Sequence, residues 1–185
     1  YKTIDEELLE VIKYSHDNIK KYHEKQVRNN FIMSEDNGVI LGQIINPIEK
    51  VGLYVPGGTA SYPSTVLMNA IPAKIAGCKE IIMVTPPNID GSISPSILAS
   101  AKIAGVDRIF KVGGSQSIAA LSYGTESIPK VYKIVGPGNI YVSMAKKMVY
   151  GEVSIDMIAG PSEVLIIADN SANYVHVTAD LLSQA

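Results

Sequence analysis

Three segments carry the residue types and spacings that could do chemistry: Tyr54-Val55-Pro56-Gly57-Gly58, Val135-Gly136-Pro137-Gly138-Asn139 and Asp156-Met157-Ile158-Ala159-Gly160-Pro161-Ser162-Glu163. Each sets Gly and Pro beside an apolar run of β type. Gly has no Cβ, so a ligand can approach its backbone closely. Pro fixes φ and stiffens the loop. Stiff, backbone-exposing loops at strand ends are where an open α/β sheet binds its ligands. The expectation is an enzyme, and the chain stops at Ser183-Gln184-Ala185 inside what reads as a further site-forming helix. Part of the chemistry is therefore expected beyond Ala185.

Few ionisable groups compete for a role. Asp156 and Glu163 invite reading as a paired acid and base. His176, Asp180 and Gln184 fall at i, i+4 and i+8 of one helix face, the spacing of a metal site. His16 and His23 lie seven residues apart on the first helix and are expected to face solvent. The single Cys78 stands between Gly77 and Lys79 ahead of a strand, where a buried small side chain is expected and not a nucleophile.

The elements that position these residues follow from hydrophobic period and breakers. Ile4, Leu8, Val11, Ile12 and Ile19 recur at helical spacing, so Thr3 to about Asn29 reads as a helix, with Thr3 and Glu6 as a capping box. A polar turn at Ser34–Gly38 leads into a β-type run, Val39–Ile48. From Val51 the pattern becomes strand, Gly/Pro loop, helix, repeated: strands at Val51–Val55, Glu80–Thr85, Arg108–Val112 and Val131–Val135, and helices at Ser64–Ala76, Pro95–Ala104, from about Gln116, and Asn139–Val149. Pro72 predicts a kink or break in the first of these helices. Pro near the first turn and Gly105 at the end bracket Pro95–Ala104. Val164–Ala168 is uniformly apolar, the signature of a short strand buried on both faces, and Ala172–Ala185 reads as a last helix. The alternation predicts an α/β fold with an open, mostly parallel, doubly wound sheet. Residues 51–164 form its body. Residues 1–50 and 165–185 are expected to pack on a second, neighbouring α/β domain.

Composition narrows the class. The chain has 185 residues and is 46% hydrophobic, enough for one core. Lys and Arg number 16 against 18 Asp and Glu, a net charge of −2, which offers neither a nucleic-acid face nor an anionic-membrane patch. No apolar stretch approaches the roughly 18 residues of a membrane span. One cysteine fits a reducing cytoplasm.

Val51-Gly52-Leu53-Tyr54-Val55-Pro56-Gly57-Gly58 with Ser64-Thr65-Val66-Leu67-Met68 resembles the histidinol dehydrogenase family. So do Val112-Gly113-Gly114-Ser115-Gln116-Ser117-Ile118-Ala119-Ala120-Leu121, Gly124-Thr125-Glu126-Ser127, Gly136-Pro137-Gly138-Asn139, Asp156 to Val164, and Asp180-Leu181-Leu182-Ser183-Gln184-Ala185. The blocks keep the family's order from Val51 to Ala185. The resemblance implies a zinc-dependent, NAD-using cytoplasmic oxidoreductase of histidine biosynthesis. It implies oxidation of L-histidinol through the aldehyde to L-histidine, by intertwined homodimers with an incomplete Rossmann-like nucleotide domain. In keeping with that, no G-x-G-x-x-G follows any predicted strand.

By position, the resemblance gives Tyr54, Gln116 and Asn139 to NAD, Ser162 and Gln184 to the substrate, and Gln184 to zinc. Each cofactor position has a local reason as well. An aromatic ring at a Pro-Gly-Gly turn can lie beside a ribose or adenine, and Gln116 and Asn139 open helices whose N-termini favour phosphate. Tyr54 could equally pack on the sheet, Asn139 could serve as an N-cap, and Ser162 could make a turn. From the trio on the last helix the resemblance takes Gln184 alone, leaves His176 exposed or capping, and puts the acid/base Glu-His pair past Ala185. Asp156 and Glu163 are then structural. The 185 residues alone are expected not to turn over. Two alternatives stay open: a related dehydrogenase of another small hydroxy compound, and a non-catalytic nucleotide-binding or assembly module.

Overall fold

A computed structural model describes residues 4–57, 61–159 and 163–183. In chain order the elements are α1 (Glu6–His23), β1 (Phe31–Ser34), β2 (Ile40–Gln43), β3 (Lys50–Tyr54), α2 (Pro63–Ile75), β4 (Glu80–Val84), α3 (Pro95–Ala104) and β5 (Arg108–Phe110). They continue with α4 (Gly114–Tyr123), β6 (Lys133–Val135), α5 (Ile140–Val149), β7 (Ser154–Ile155) and α6 (Tyr174–Leu182).

Strands β3 to β7 form one five-stranded sheet in the order β5-β4-β3-β6-β7, and every pair in it is parallel. The sheet grows outward from β3 to β4 and β5. The chain then returns to the other side of β3, where β6 and β7 add on. In register, Val51 and Leu53 of β3 face Ile81 and Met83 of β4 on one side and Lys133 and Val135 of β6 on the other.

Strict alternation builds a core on each face. Val51, Leu53, Val55, Ile81 and Met83 point into one core, with Val66, Leu67, Ala70 and Ile71 of α2 and Ile97 and Ala101 of α3. Tyr54, Ile82, Val84 and Ile134 point into the other, with Ile118 and Leu121 of α4 and Val142 of α5. A fully buried aliphatic side chain contributes roughly 1.5–3 kcal/mol, so the period of two in the strands decides which helices lie on which face. A Cβ at Gly52 would stand 2.9 Å from Leu121 Cδ1, so the missing side chain lets α4 press onto β3.

Several expectations are corrected. Helix α2 runs unbroken through Pro72. The lost hydrogen bond is outweighed by the buried face of α2, which packs against α1 and α3. Helix α1 begins at Glu6, so Glu6 opens the helix and Asp5 is its N-cap, without a side-chain bond. The predicted cap Thr3 lies outside the described residues. Ile12 is the buried residue of α1, while Leu8 and Val11 of the predicted stripe are exposed. The run predicted at Val39–Ile48 is strand only at Ile40–Gln43, antiparallel to an unforeseen β1 around the turn closed by Gly38 N–H to Glu35 O at 3.0 Å. All residues of this hairpin are exposed. Although α1 joins the core of the sheet unit through Ile12, exposed apolar side chains remain on its outer side at Val11, Tyr14 and Tyr22 as well as on the hairpin and the segment after it.

The strand predicted at Val164–Ala168 does not form. Leu165 and Ile167 are 88% and 93% exposed. A two-faced strand needs a sheet edge and a cover on each face, and the described residues supply neither to this segment. Helix α6 is exposed along almost its whole length. No described helix is long and apolar enough to cross a membrane.

Candidate functional site

Parallel strands put all their C-terminal ends on one edge, and the following loops and helix N-termini gather there. The sheet changes its direction of growth between β3 and β6, so the crevice of a doubly wound sheet opens between Tyr54 and Val135. There the two loops touch. Gly136 is buried with φ at +113°, and a Cβ on it would lie 2.1 Å from Tyr54 O. Only glycine fits both that backbone and that contact. Pro86, after β4, wedges between two more loops. A Cβ at Gly57 would fall 2.8 Å from Pro86 O, and one at Gly113 would fall 2.6 Å from Pro86 Cβ.

All three predicted cofactor positions reach this edge. Asn139 caps α5: its Oδ1 accepts from Val142 N–H at 3.1 Å, and the residue is exposed. Gln116 is exposed in the first turn of α4. Tyr54 is only 4% exposed. Its ring lies in the core with Ile118, Leu121 and Ile134, and its Oη accepts from Gly114 N–H at 3.3 Å. The tyrosine therefore ties the end of β3 to the start of α4. Two helix N-termini, each with the positive end of its dipole, stand at this edge beside two exposed amide side chains.

The carboxylate of Asp156 is engaged by its neighbours, although the residue is exposed. Its carboxylate accepts from Gly136 N–H at 2.8 Å and Met157 N–H at 2.7 Å, and it pairs with the Lys146 ammonium. Lys146 is 4% exposed and donates to Gly136 O at 3.0 Å. The structural role expected of Asp156 fits these bonds better than acid/base work. Glu163 is exposed.

Ser162 and Gln184, and with them Gly58 and Gly160, lie outside the described residues. His176 and Asp180 are exposed on α6, and among the described residues no group of three or more His, Cys, Asp or Glu could hold a metal ion. His16 and His23 are half-buried, not solvent-facing: α1 packs on α2, and the two rings bond Asp17 at 2.8 Å and Gln26 at 2.6 Å. Cys78 is buried as expected, and burial pushes its thiol above the usual range, the opposite of an activated nucleophile. Sequence reasoning missed Lys146 and Pro86. Nothing local separates buried Lys146 from exposed Lys147, and Pro86 sits in a Pro-Pro run that reads as plain loop.

Fold and edge together define a doubly wound α/β protein with a topological switch point, the place where open α/β sheets take their ligands. The family model described as histidinol dehydrogenase matches residues 1–185. The chain belongs to the histidinol dehydrogenase family. It is 56% identical over 185 residues to histidinol dehydrogenase of Clostridium acetobutylicum, covering 100% of this chain and 43% of that protein. It is 60% identical over 185 residues to that of Streptococcus mutans, with the same coverage. The crystal structure of histidinol dehydrogenase from Elizabethkingia anophelis superposes with a TM-score of 0.92 at 49% identity, over 98% of this chain and 42% of that one. The chain thus spans 43% of the length of the two curated relatives.

Proposed function

We propose that the protein bearing this chain oxidises L-histidinol through the aldehyde to L-histidine, and that residues 51–164 form its NAD site. The observation that carries the proposal is that Tyr54 ends β3 and bonds the start of α4, while Gln116 and Asn139 are exposed at the starts of α4 and α5, on the same edge of the sheet. The residues there fit a dinucleotide. Gly136 keeps the backbone bare where a side chain has no room, and two helix N-termini suit a pyrophosphate. A dinucleotide held by these residues would supply the hydride acceptor for each of the two oxidations, the alcohol first and then the hydrated aldehyde.

The chain's own groups bind and orient. The exposed Gln116 amide and the Nδ2 of Asn139, whose Oδ1 caps α5, would donate to ribose or phosphate oxygens, and Tyr54 acts through Gly114, fixing the first turn of α4. Ser162 and Gln184 are proposed to contact the substrate, and Gln184 to ligate zinc. A lone glutamine does not make a zinc site, and Gln184 would be one ligand of a larger set. Residues 1–50 and 165–185 are proposed to pack on a second domain, within a homodimer in the cytoplasm. The reading predicts that the intact protein reduces NAD with L-histidinol and not with other small hydroxy compounds. The 185 residues alone are expected to show no turnover with zinc and NAD added. An intact protein that leaves histidinol untouched, or turns over another alcohol faster, overturns the assignment.

A further inference from the structure

Among the described residues Lys146 is the one buried charged side chain, 4% exposed. Its ammonium reaches two acceptors, Gly136 O at 3.0 Å and the Asp156 carboxylate. Asp156 in turn accepts from Gly136 N–H at 2.8 Å. The N–H and the C=O of Gly136 belong to the two peptide planes that meet at its Cα. One ion pair therefore holds both planes, and with them φ and ψ of a residue at +113°. Asp156 follows β7 and Lys146 lies on α5, so the pair ties the loop after β6 to both its neighbours.

We propose that Lys146 and Asp156 are positioning residues for the dinucleotide: they lock the Gly136 backbone so that Pro137, Gly138 and Asn139 meet the cofactor in one arrangement. The proposal rests on the NAD reading of this edge. The bonds of both charges are spent on the Gly136 backbone, on Met157 N–H and on each other. Lys146 is buried with its proton donors turned to Gly136 and Asp156, so it does not serve as a direct phosphate clamp. An unlocked glycine samples many conformations, and a loop that must be ordered on binding loses affinity.

The test uses the intact protein and the variants Lys146→Met, Asp156→Asn and the double substitution. NAD dissociation constants are measured by calorimetry, well below each variant's melting temperature, and exchange of the Gly136 amide is followed by hydrogen-exchange mass spectrometry without NAD. Each single variant is expected to weaken NAD at least tenfold and to speed exchange at Gly136. The double variant is expected to be no weaker than the worse single one, because one device is being broken. Lys146→Arg, which keeps a cation, is expected to recover part of the affinity. If Lys146→Met fails to fold, the isosteric Asp156→Asn carries the same comparison. Folded variants that bind NAD within twofold of wild type overturn the positioning role and leave the NAD reading standing. A wild-type protein that binds no NAD overturns both.

Discussion

Gly136 shows how much of this site is decided by what a residue lacks. Substituting Ala adds a Cβ 2.1 Å from Tyr54 O, on a backbone at φ +113°. Positive φ alone costs a non-glycine residue roughly 1–3 kcal/mol, and the clash adds to it. Gly136→Ala is expected to lower stability by more than about 2 kcal/mol, read as a fall in the denaturant midpoint. Gly38→Ala, also at positive φ but in open space, should cost only about 1 kcal/mol. Equal losses would show that the Tyr54 contact carries no weight. Asn139→Ala removes the α5 cap bond and should cost about 1 kcal/mol as well as NAD affinity. At Cys78 the thiol is shifted upward by burial. The folded protein therefore holds that proton more tightly than the unfolded chain. Stability from this group is complete below the unfolded thiol's range and falls as pH rises through the folded one. Thiol labelling should accordingly be slow in the native protein at neutral pH and fast in denaturant; rapid native labelling would mean the thiol is accessible.

At the scale of elements, the apolar runs of β3 and β4 and the Pro and Gly marks of α3 are legible because they depend on neighbours in sequence. Helix α2 was legible in place but not in continuity: the cost of Pro72 is local, whereas the compensating burial of Val66, Leu67, Ala70 and Ile71 comes from α1 and α3. Pro72→Ala restores a helix donor and should raise stability by about 1 kcal/mol or more, seen as a higher melting temperature; a lower one would mean the ring itself packs. The candidate site divides in the same way. Asn139 and Gln116 could be placed from loop and helix starts, but the Lys146–Asp156 pair joins α5 to the turn after β7, and no pattern within either element signals it. The same holds for Tyr54, whose burial depends on α4 packing against Gly52.

The whole molecule leaves much apolar surface uncovered. Ile32 and Ile40 of the hairpin are 78% and 70% exposed, and the segment at Leu165–Ile167 adds to this. Isolated patches of this kind mark surfaces meant for a partner. The 185-residue chain by itself should self-associate in sedimentation, and charged substitutions at Ile32 and Ile40 should reduce that association; a compact monomer at all concentrations would contradict it. The apolar run at Val164–Ala168 reads as a buried strand from its composition, but the described residues give it no sheet edge and no cover. The central claim, that the edge around Gly136 holds NAD, is tested most directly by calorimetric titration of NAD into the wild-type protein and into Asn139→Ala and Tyr54→Phe. The account predicts saturable binding that weakens about tenfold in each variant. Absence of binding by a folded wild-type protein, or equal affinity in all three, would contradict it.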